Sequence, residues 1–173
     1  VTSGPGATNS VTGIAGAWFD SIPLLIISGQ VKRKDIKKEN DVRQKGPQEI
    51  DIVSMVKNIT KYAKTIKCKK SFLQEFKKAV RIACSDRPGP VLLDIPLDLQ
   101  AAPYQGKRFI KTKIDSLKTK KKIESSSLEL VINKIKNSRK PIFLLGQGIK
   151  SSNAVSIAKK LIQKSKVPFL LTW

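Results

Sequence analysis

The chain contains no histidine. The Ser–His and Cys–His dyads of nucleophilic catalysis are therefore excluded within these residues. Only two cysteines are present, Cys68 and Cys84, without close spacing. That excludes a disulfide framework and a cysteine zinc site, and it suits a reducing cytoplasm. No apolar run approaches the length needed to span a bilayer, and no signal peptide is visible. Acidic residues are scarce, 13 against 34 Lys and Arg, which gives a net charge of +21. Such a balance raises nucleic-acid binding as a candidate function. Against it, only six of the 34 basic residues are Arg, the side chain best shaped to fork onto phosphate. Aromatics make up 6% and are not interleaved with the basic clusters. The lysines fall on the polar faces of helices or in a linker, so the charge reads as a solvated surface with no nucleic acid and no membrane as partner. A basic nucleic-acid-binding module remains an alternative carried by net charge alone. A steep salt dependence of binding would betray it.

What is present is α/β periodicity, beginning with residues 1–31, VTSGPGATNSVTGIAGAWFDSIPLLIISGQV. The stretch opens at the end of a strand. Gly4-Pro5-Gly6 then makes a tight turn where backbone can approach a ligand closely. Residues 7–19 carry Val11, Ile14 and Ala15 at helical spacing and are predicted to form one helix. Pro23 follows its end. Residues 24–27 are an unbroken apolar run, as in a strand buried on both faces. Strand, glycine turn, helix and strand make a βαβ unit, whose helix N-terminus favours ligands. A P-loop is excluded, because Ala7-Thr8-Asn9 stands where Lys and Ser or Thr are needed. On spacing alone a ligand-binding turn and a purely structural one remain equally open.

Further along, residues 32–46 are charged and aperiodic, an exposed loop. Residues 49–55 are a short helix or turn, and 60–66 a strand. Ser71 is expected to cap a helix, with Gln74 completing a capping box and Phe72, Phe76, Ala79, Val80 and Ala83 forming its apolar stripe. Residues 91–95 are a buried strand ended by Pro96. Asp94 and Asp98 flank that proline and read as surface caps and turn partners rather than an acid–base pair. Residues 103–123 form a basic linker. A second helix follows, with Leu128, Val131, Ile132 and Ile135 on one face. A strand at 142–145, the turn Gly146-Gln147-Gly148, a helix capped by Ser152 or Asn153, and a strand at 168–172 complete the series. The chain divides into residues 1–102, 103–123 and 124–173. It starts without Met, and both ends read as internal to a longer polypeptide.

Ser3-Gly4-Pro5-Gly6-Ala7-Thr8-Asn9, Thr12-Gly13-Ile14-Ala15, Asp20-Ser21, Pro23-Leu24 and Ser28-Gly29-Gln30-Val31 together resemble the pyrimidine-binding domain of thiamine-diphosphate enzymes, in particular the acetolactate synthase large subunit group. The blocks 48–53 and 87–96 are similar to two further family blocks, in the right order. The resemblance implies a three-layer parallel-sheet domain, followed by the start of a Rossmann-like central domain. It implies a carboligase that decarboxylates a 2-keto acid such as pyruvate and adds the resulting enamine to a second keto acid. It implies thiamine diphosphate as cofactor, with Gly4, Pro5, Gly6 and Asn9 lining the pyrimidine pocket and Gln48 at the active site; Gln30 is read as structural. It further implies Mg²⁺ bound outside these residues, and a cytoplasmic homodimer or tetramer with the helix 7–19 near the interface. FAD is a further candidate cofactor, approached by Gly146 and Gly148; a plain strand-to-helix turn is the alternative there. No metal ligand is expected in the chain. The catalytic glutamate is expected upstream of Val1 and the metal–diphosphate site beyond Trp173, so the 173 residues alone are expected to be inactive. The chain departs from the family at Pro47, usually Phe, and at Leu97, often Lys. Both departures put the substrate and the flavin in question and favour, as the alternative, a related 2-keto acid decarboxylase or lyase.

Overall fold

A computed structural model describes residues 1–38, 42–103 and 123–172. The chain divides into two compact units, Val1–Thr119 and Lys120–Trp173. The expected basic linker lies outside the described residues, apart from Pro103 and Ile123.

The first unit is built on three parallel strands, β1 (Leu24–Gln30), β2 (Tyr62–Thr65) and β3 (Pro90–Pro96), in the spatial order β1-β3-β2. The sequence of β3, PVLLDIP, explains its central place. A strand that is covered on both faces needs apolar residues at successive positions rather than alternate ones, and Val91, Leu92 and Leu93 are all fully buried. Leu92 points to one layer, where Ala7 of α1 (Pro5–Thr8), Ile14 of α2 (Val11–Phe19) and Ile52 and Val56 of α3 (Ile52–Val56) pack around Ile26. Val91 and Leu93 point to the other, formed by Ala79 and Ala83 of α4 (Lys69–Cys84) with Phe72 and Phe76. The result is the expected α/β domain with a parallel sheet between helical layers. Beside β1, the nitrogen of Val1 donates to the carbonyl of Ile27 at 2.8 Å, and the N–H of Gly29 donates to the carbonyl of Val1 at 3.0 Å. Val1 therefore pairs with the edge of β1, although residues 1–3 form no strand.

Several local expectations are corrected. The single helix over 7–19 is two, α1 and α2. The Thr8 hydroxyl donates to the Pro5 carbonyl and the Ser10 hydroxyl to that of Ala7. Such local side-chain bonds compete with the helical ladder and break it at Asn9-Ser10. Helix α4 begins at Lys69 with Cys68 as its N-cap, so Ser71 lies inside the first turn and no capping box with Gln74 forms. The Ser71 hydroxyl donates to the Cys68 carbonyl at 2.9 Å instead. Beyond Pro96 the chain continues into a short helix, α5 (Leu97–Gln100), before the linker begins.

The second unit holds α6 (Ser125–Asn137), β4 (Phe143–Leu145), α7 (Gly148–Ser151), α8 (Val155–Ser165) and β5 (Phe169–Leu171), with β4 and β5 parallel. Neither Ser152 nor Asn153 caps α8, whose N-cap is Ala154. Its strands remain largely uncovered; Leu144 and Leu171 are 69% and 71% exposed.

The two-sided burial of β3 makes a direct test. Leu92→Ala should destabilise the protein by about 2–5 kcal/mol in denaturant unfolding, the range for a fully buried leucine. Ile27→Ala, at a position 42% exposed, should cost far less.

Candidate functional site

The carboxyl ends of the three strands converge on one buried carboxylate. Asp94 pairs in register with Ser28 of β1 and Thr65 of β2, so three short polar side chains form a row across the sheet, all on the Leu92 side because side chains alternate along a strand. Asp94 is 1% exposed, Ser28 0% and Gln30 7%. Oδ1 of Asp94 accepts from the Ser28 hydroxyl at 2.7 Å. Oδ2 accepts from Gln30 Nε2 at 3.0 Å and from the Thr65 hydroxyl at 3.1 Å. Burial pushes the Asp94 carboxyl above the usual carboxylate range, while these three hydrogen bonds pull it back. The expectation of a surface cap is thus wrong for Asp94. Asp98 lies at the surface but is not the helix cap expected: it sits inside α5, whose N-cap is Pro96, and accepts from Arg33 Nε at 2.7 Å and from the Arg33 N–H at 3.1 Å.

Gln30 links this row to the loop before α3. The second hydrogen of its amide goes to the carbonyl of Ile50 at 2.8 Å, and its Oε1 accepts from the N–H of Val31 at 2.9 Å. Both amide hydrogens and the amide oxygen thus have partners. The loop is held elsewhere by Glu49, whose carboxylate accepts from the N–H groups of Lys37, Lys45 and Gly46. Partial burial pushes Glu49 up, but those backbone donors outweigh it and hold the carboxyl below its ordinary value. Asp51 caps α3 by accepting from the Ser54 N–H at 3.0 Å, so it forms no dyad with Glu49.

That loop brings Gln48 against the glycine turn, two sequence-predicted sites more than forty residues apart. Gly4 has φ +59°, and a Cβ placed on it would lie 2.5 Å from the Gln48 carbonyl oxygen. Gln48 itself takes φ 59° and its side chain is exposed. At Gly6 a Cβ would lie 2.3 Å from the Thr2 methyl. The missing side chains at Gly4 and Gly6 thus make room for the chain's own backbone and methyl group, not for an open cradle. What faces outward at the turn is Pro5, Asn9 and the Gln48 side chain. Asn9 sits at the C-cap of α1 with its N–H donating to the carbonyl of Pro5 at 3.0 Å, while the next N–H, that of Ser10, donates to the carbonyl of Ala7. A flat heterocycle is matched here by exposed amides and a proline ring, and only in part by bare backbone.

Two clefts open at the strand ends. One of about 820 Å³ is lined by Ser3, Gly29, Gln30, Pro47, Leu97 and Gln100 among others, so the two positions that depart from the family pattern share one cavity. The other, of about 780 Å³, is lined by Arg33, Lys37, Arg43, Glu49, Thr65 and Lys67 among others. In the second unit Gly146 meets the Thr172 hydroxyl, 3.3 Å from where a Cβ would lie, while nothing stands within 4 Å at Gly148. Among the described residues no group of carboxylates or thiols is arranged to hold a metal ion, and no helix is long and apolar enough to cross a membrane.

Sequence reasoning missed Asp94, Ser28 and Thr65 as a constellation; the available signal was a polar residue inside an otherwise apolar strand. The glycine contacts are open to measurement. Gly4→Ala should destabilise the protein by more than about 1 kcal/mol, from positive φ and a collision with backbone. Gly13→Ala, in α2 with open space around it, should stabilise by about 0.5–1 kcal/mol. Both are read from denaturant midpoints.

Residues 1–55 match the family described as thiamine pyrophosphate enzyme, N-terminal TPP binding domain. The chain is 34% identical over 172 residues to the acetolactate synthase large subunit of Lactococcus lactis, covering 99% of this chain and 29% of that protein. It is 37% identical over 174 residues to the probable acetolactate synthase large subunit of Methanocaldococcus jannaschii, covering 99% and 28%. It is 36% identical over 154 residues to the chloroplastic acetolactate synthase of Arabidopsis thaliana, covering 88% and 22%. The chain therefore spans less than a third of the length of these relatives. Through nearly all of its own length the chain is similar to one stretch of the acetolactate synthase large subunits, and its first 55 residues match the thiamine-pyrophosphate enzyme N-terminal domain.

Proposed function

We propose that this chain forms part of the cofactor pocket of an acetolactate synthase-type carboligase, which decarboxylates a 2-keto acid, pyruvate, and joins the remaining two-carbon unit to a second keto acid. The observation that carries the reading is the contact of Gln48 with Gly4, which places the exposed amides of Gln48 and Asn9 at one turn of a domain matching the thiamine-pyrophosphate family. Thiamine diphosphate, when bound, supplies the electron sink for the pair released as carbon dioxide leaves. The chain's own residues bind and orient. The Gln48 and Asn9 amides offer both donors and acceptors to a ring nitrogen or amine. The Asp94 row and Glu49 hold the loop that carries Gln48. Mg²⁺ binds through residues outside this chain. The pocket closes between two copies of the protein in a cytoplasmic homodimer. Flavin belongs at the Gly146–Gly148 turn, where the open space at Gly148 supports close approach of a ligand.

A second reading concerns the substrate. Pro47 and Leu97 line one cleft with Gly29 and Gln30. Where the synthases usually carry Phe and often Lys, this cleft has two neutral, non-aromatic side chains. That favours a related decarboxylase or lyase acting on a different 2-keto acid, with the same cofactor.

Calorimetric titration of the intact protein carrying this chain with thiamine diphosphate and Mg²⁺ tests the cofactor reading. Saturable binding is expected, weakened roughly tenfold or more by Gln48→Ala, the scale of one lost hydrogen bond to a charged or strongly polar partner. A folded protein that binds no thiamine diphosphate contradicts it. Turnover of pyruvate against longer 2-keto acids then separates the two substrate readings.

A further inference from the structure

A carboxylate inside a sheet is costly unless something requires it. Apolar residues would fill the position of Asp94 as they fill those of Leu92 and Leu93. Three observations bear on what requires it. Its oxygens receive donors from both neighbouring strands, Ser28 and Gln30 on one side and Thr65 on the other. Gln30 uses one amide hydrogen on Asp94 and the other on the Ile50 carbonyl, outside the sheet. The segment so held also has Gly46 packed on the Val31 side chain and the Gln48 backbone packed on Gly4.

We propose that Asp94 is a positioning residue for the Gln48 loop: its carboxylate fixes the rotamer of Gln30, Gln30 anchors the Ile50 carbonyl, and that anchor presses Gln48 onto the glycine turn. The direction of each bond makes the relay asymmetric. An amide NH₂ has two hydrogens and no lone pair to spare. With an acceptor at position 94, Gln30 turns its NH₂ towards both Asp94 and Ile50 and its oxygen towards the Val31 N–H. With an apolar residue there, the Gln30 amide keeps Ile50 and Val31 but loses its tie to the sheet, and one buried N–H is left without an acceptor, which loosens the anchor. An asparagine keeps the relay, because its oxygen can face Gln30 and Thr65 while its NH₂ faces Ser28, whose hydroxyl can rotate to accept. The placement is read without any cofactor; only the purpose of the loop rests on the proposed function.

Site-resolved hydrogen exchange on the wild-type protein and on Asp94→Leu, Asp94→Asn and Gln30→Met tests this, in conditions where circular dichroism shows each to be folded. The reporters are the Val31 N–H, bonded to Gln30, and the Glu49 N–H, bonded to Gly46 within the loop. The references are Leu92 and Ala79 in the two core layers. In Asp94→Leu and Gln30→Met the reporters should exchange about tenfold faster or more, while the references stay within about threefold. In Asp94→Asn all should stay within about threefold. Reporters unchanged in the Leu and Met variants overturn the relay. So does a rise of the references by the same factor, which would make Asp94 a general sheet fastener, and so does an Asn variant as loose as the Leu variant. Should Asp94→Leu fail to fold, Gln30→Met decides alone, since it leaves Asp94 with Ser28 and Thr65; its failure to fold would also overturn the proposal. The exchange measurement uses no thiamine diphosphate, so a failed cofactor titration does not alter what the exchange rates say about the relay.

Discussion

A carboxyl group shut inside a parallel sheet, pushed above the usual carboxylate range by burial, demands hydrogen-bond partners, and the partners it recruits determine which segments meet. Asp94 is that group here. Its three partners come from the ends of both neighbouring strands, so the register of β1, β3 and β2 and the position of the loop before α3 answer one electrostatic requirement. Without partners, burial of such a charge would cost several kcal/mol. With them, a polar row replaces apolar packing at the strand ends, where α/β sheets place their ligands.

From that row the arrangement extends outward in steps. Gln30 carries the connection to Ile50, Glu49 gathers three backbone amides around itself, and the loop so held lies against Gly4. The glycines of the turn therefore serve the chain first. A side chain at Gly4 would collide with the Gln48 backbone, and one at Gly6 with Thr2. What remains outward at this turn is the amides of Asn9 and Gln48 and the ring of Pro5. The cleft containing Pro47 and Leu97 lies at the same strand ends, beside the turn.

Strands β1, β3, β4 and β5 are legible in the sequence because each is built on a short apolar run bounded by Pro, Gly or charge, whereas β2, Tyr-Ala-Lys-Thr, shows only as β-prone residues between polar ones. The order of blocks points to the family and to a parallel sheet. The break at Asn9-Ser10 is not legible, since Ala and Gly continue the helical pattern through it and the interruption comes from hydroxyls bonding locally. Ser71 looks like a cap because its spacing to Gln74 fits one, yet the helix begins earlier at Lys69, and spacing alone does not fix a start. Asp94 misleads for a different reason. Its immediate neighbours, Pro96 and Asp98, are turn residues, whereas its real partners, Ser28, Gln30 and Thr65, lie tens of residues away and become neighbours only when the sheet forms.

The central claim, that the Gly4 turn and the Gln48 loop together present one wall of a thiamine-diphosphate pocket, is tested most directly by a crystal structure of the intact protein grown with thiamine diphosphate and Mg²⁺. The account expects the pyrimidine ring in van der Waals contact with the Pro5 turn, the Gln48 or Asn9 amide within hydrogen-bond distance of it, and a second copy of the protein closing the other side. A cofactor bound elsewhere, with this turn open to solvent, would contradict it.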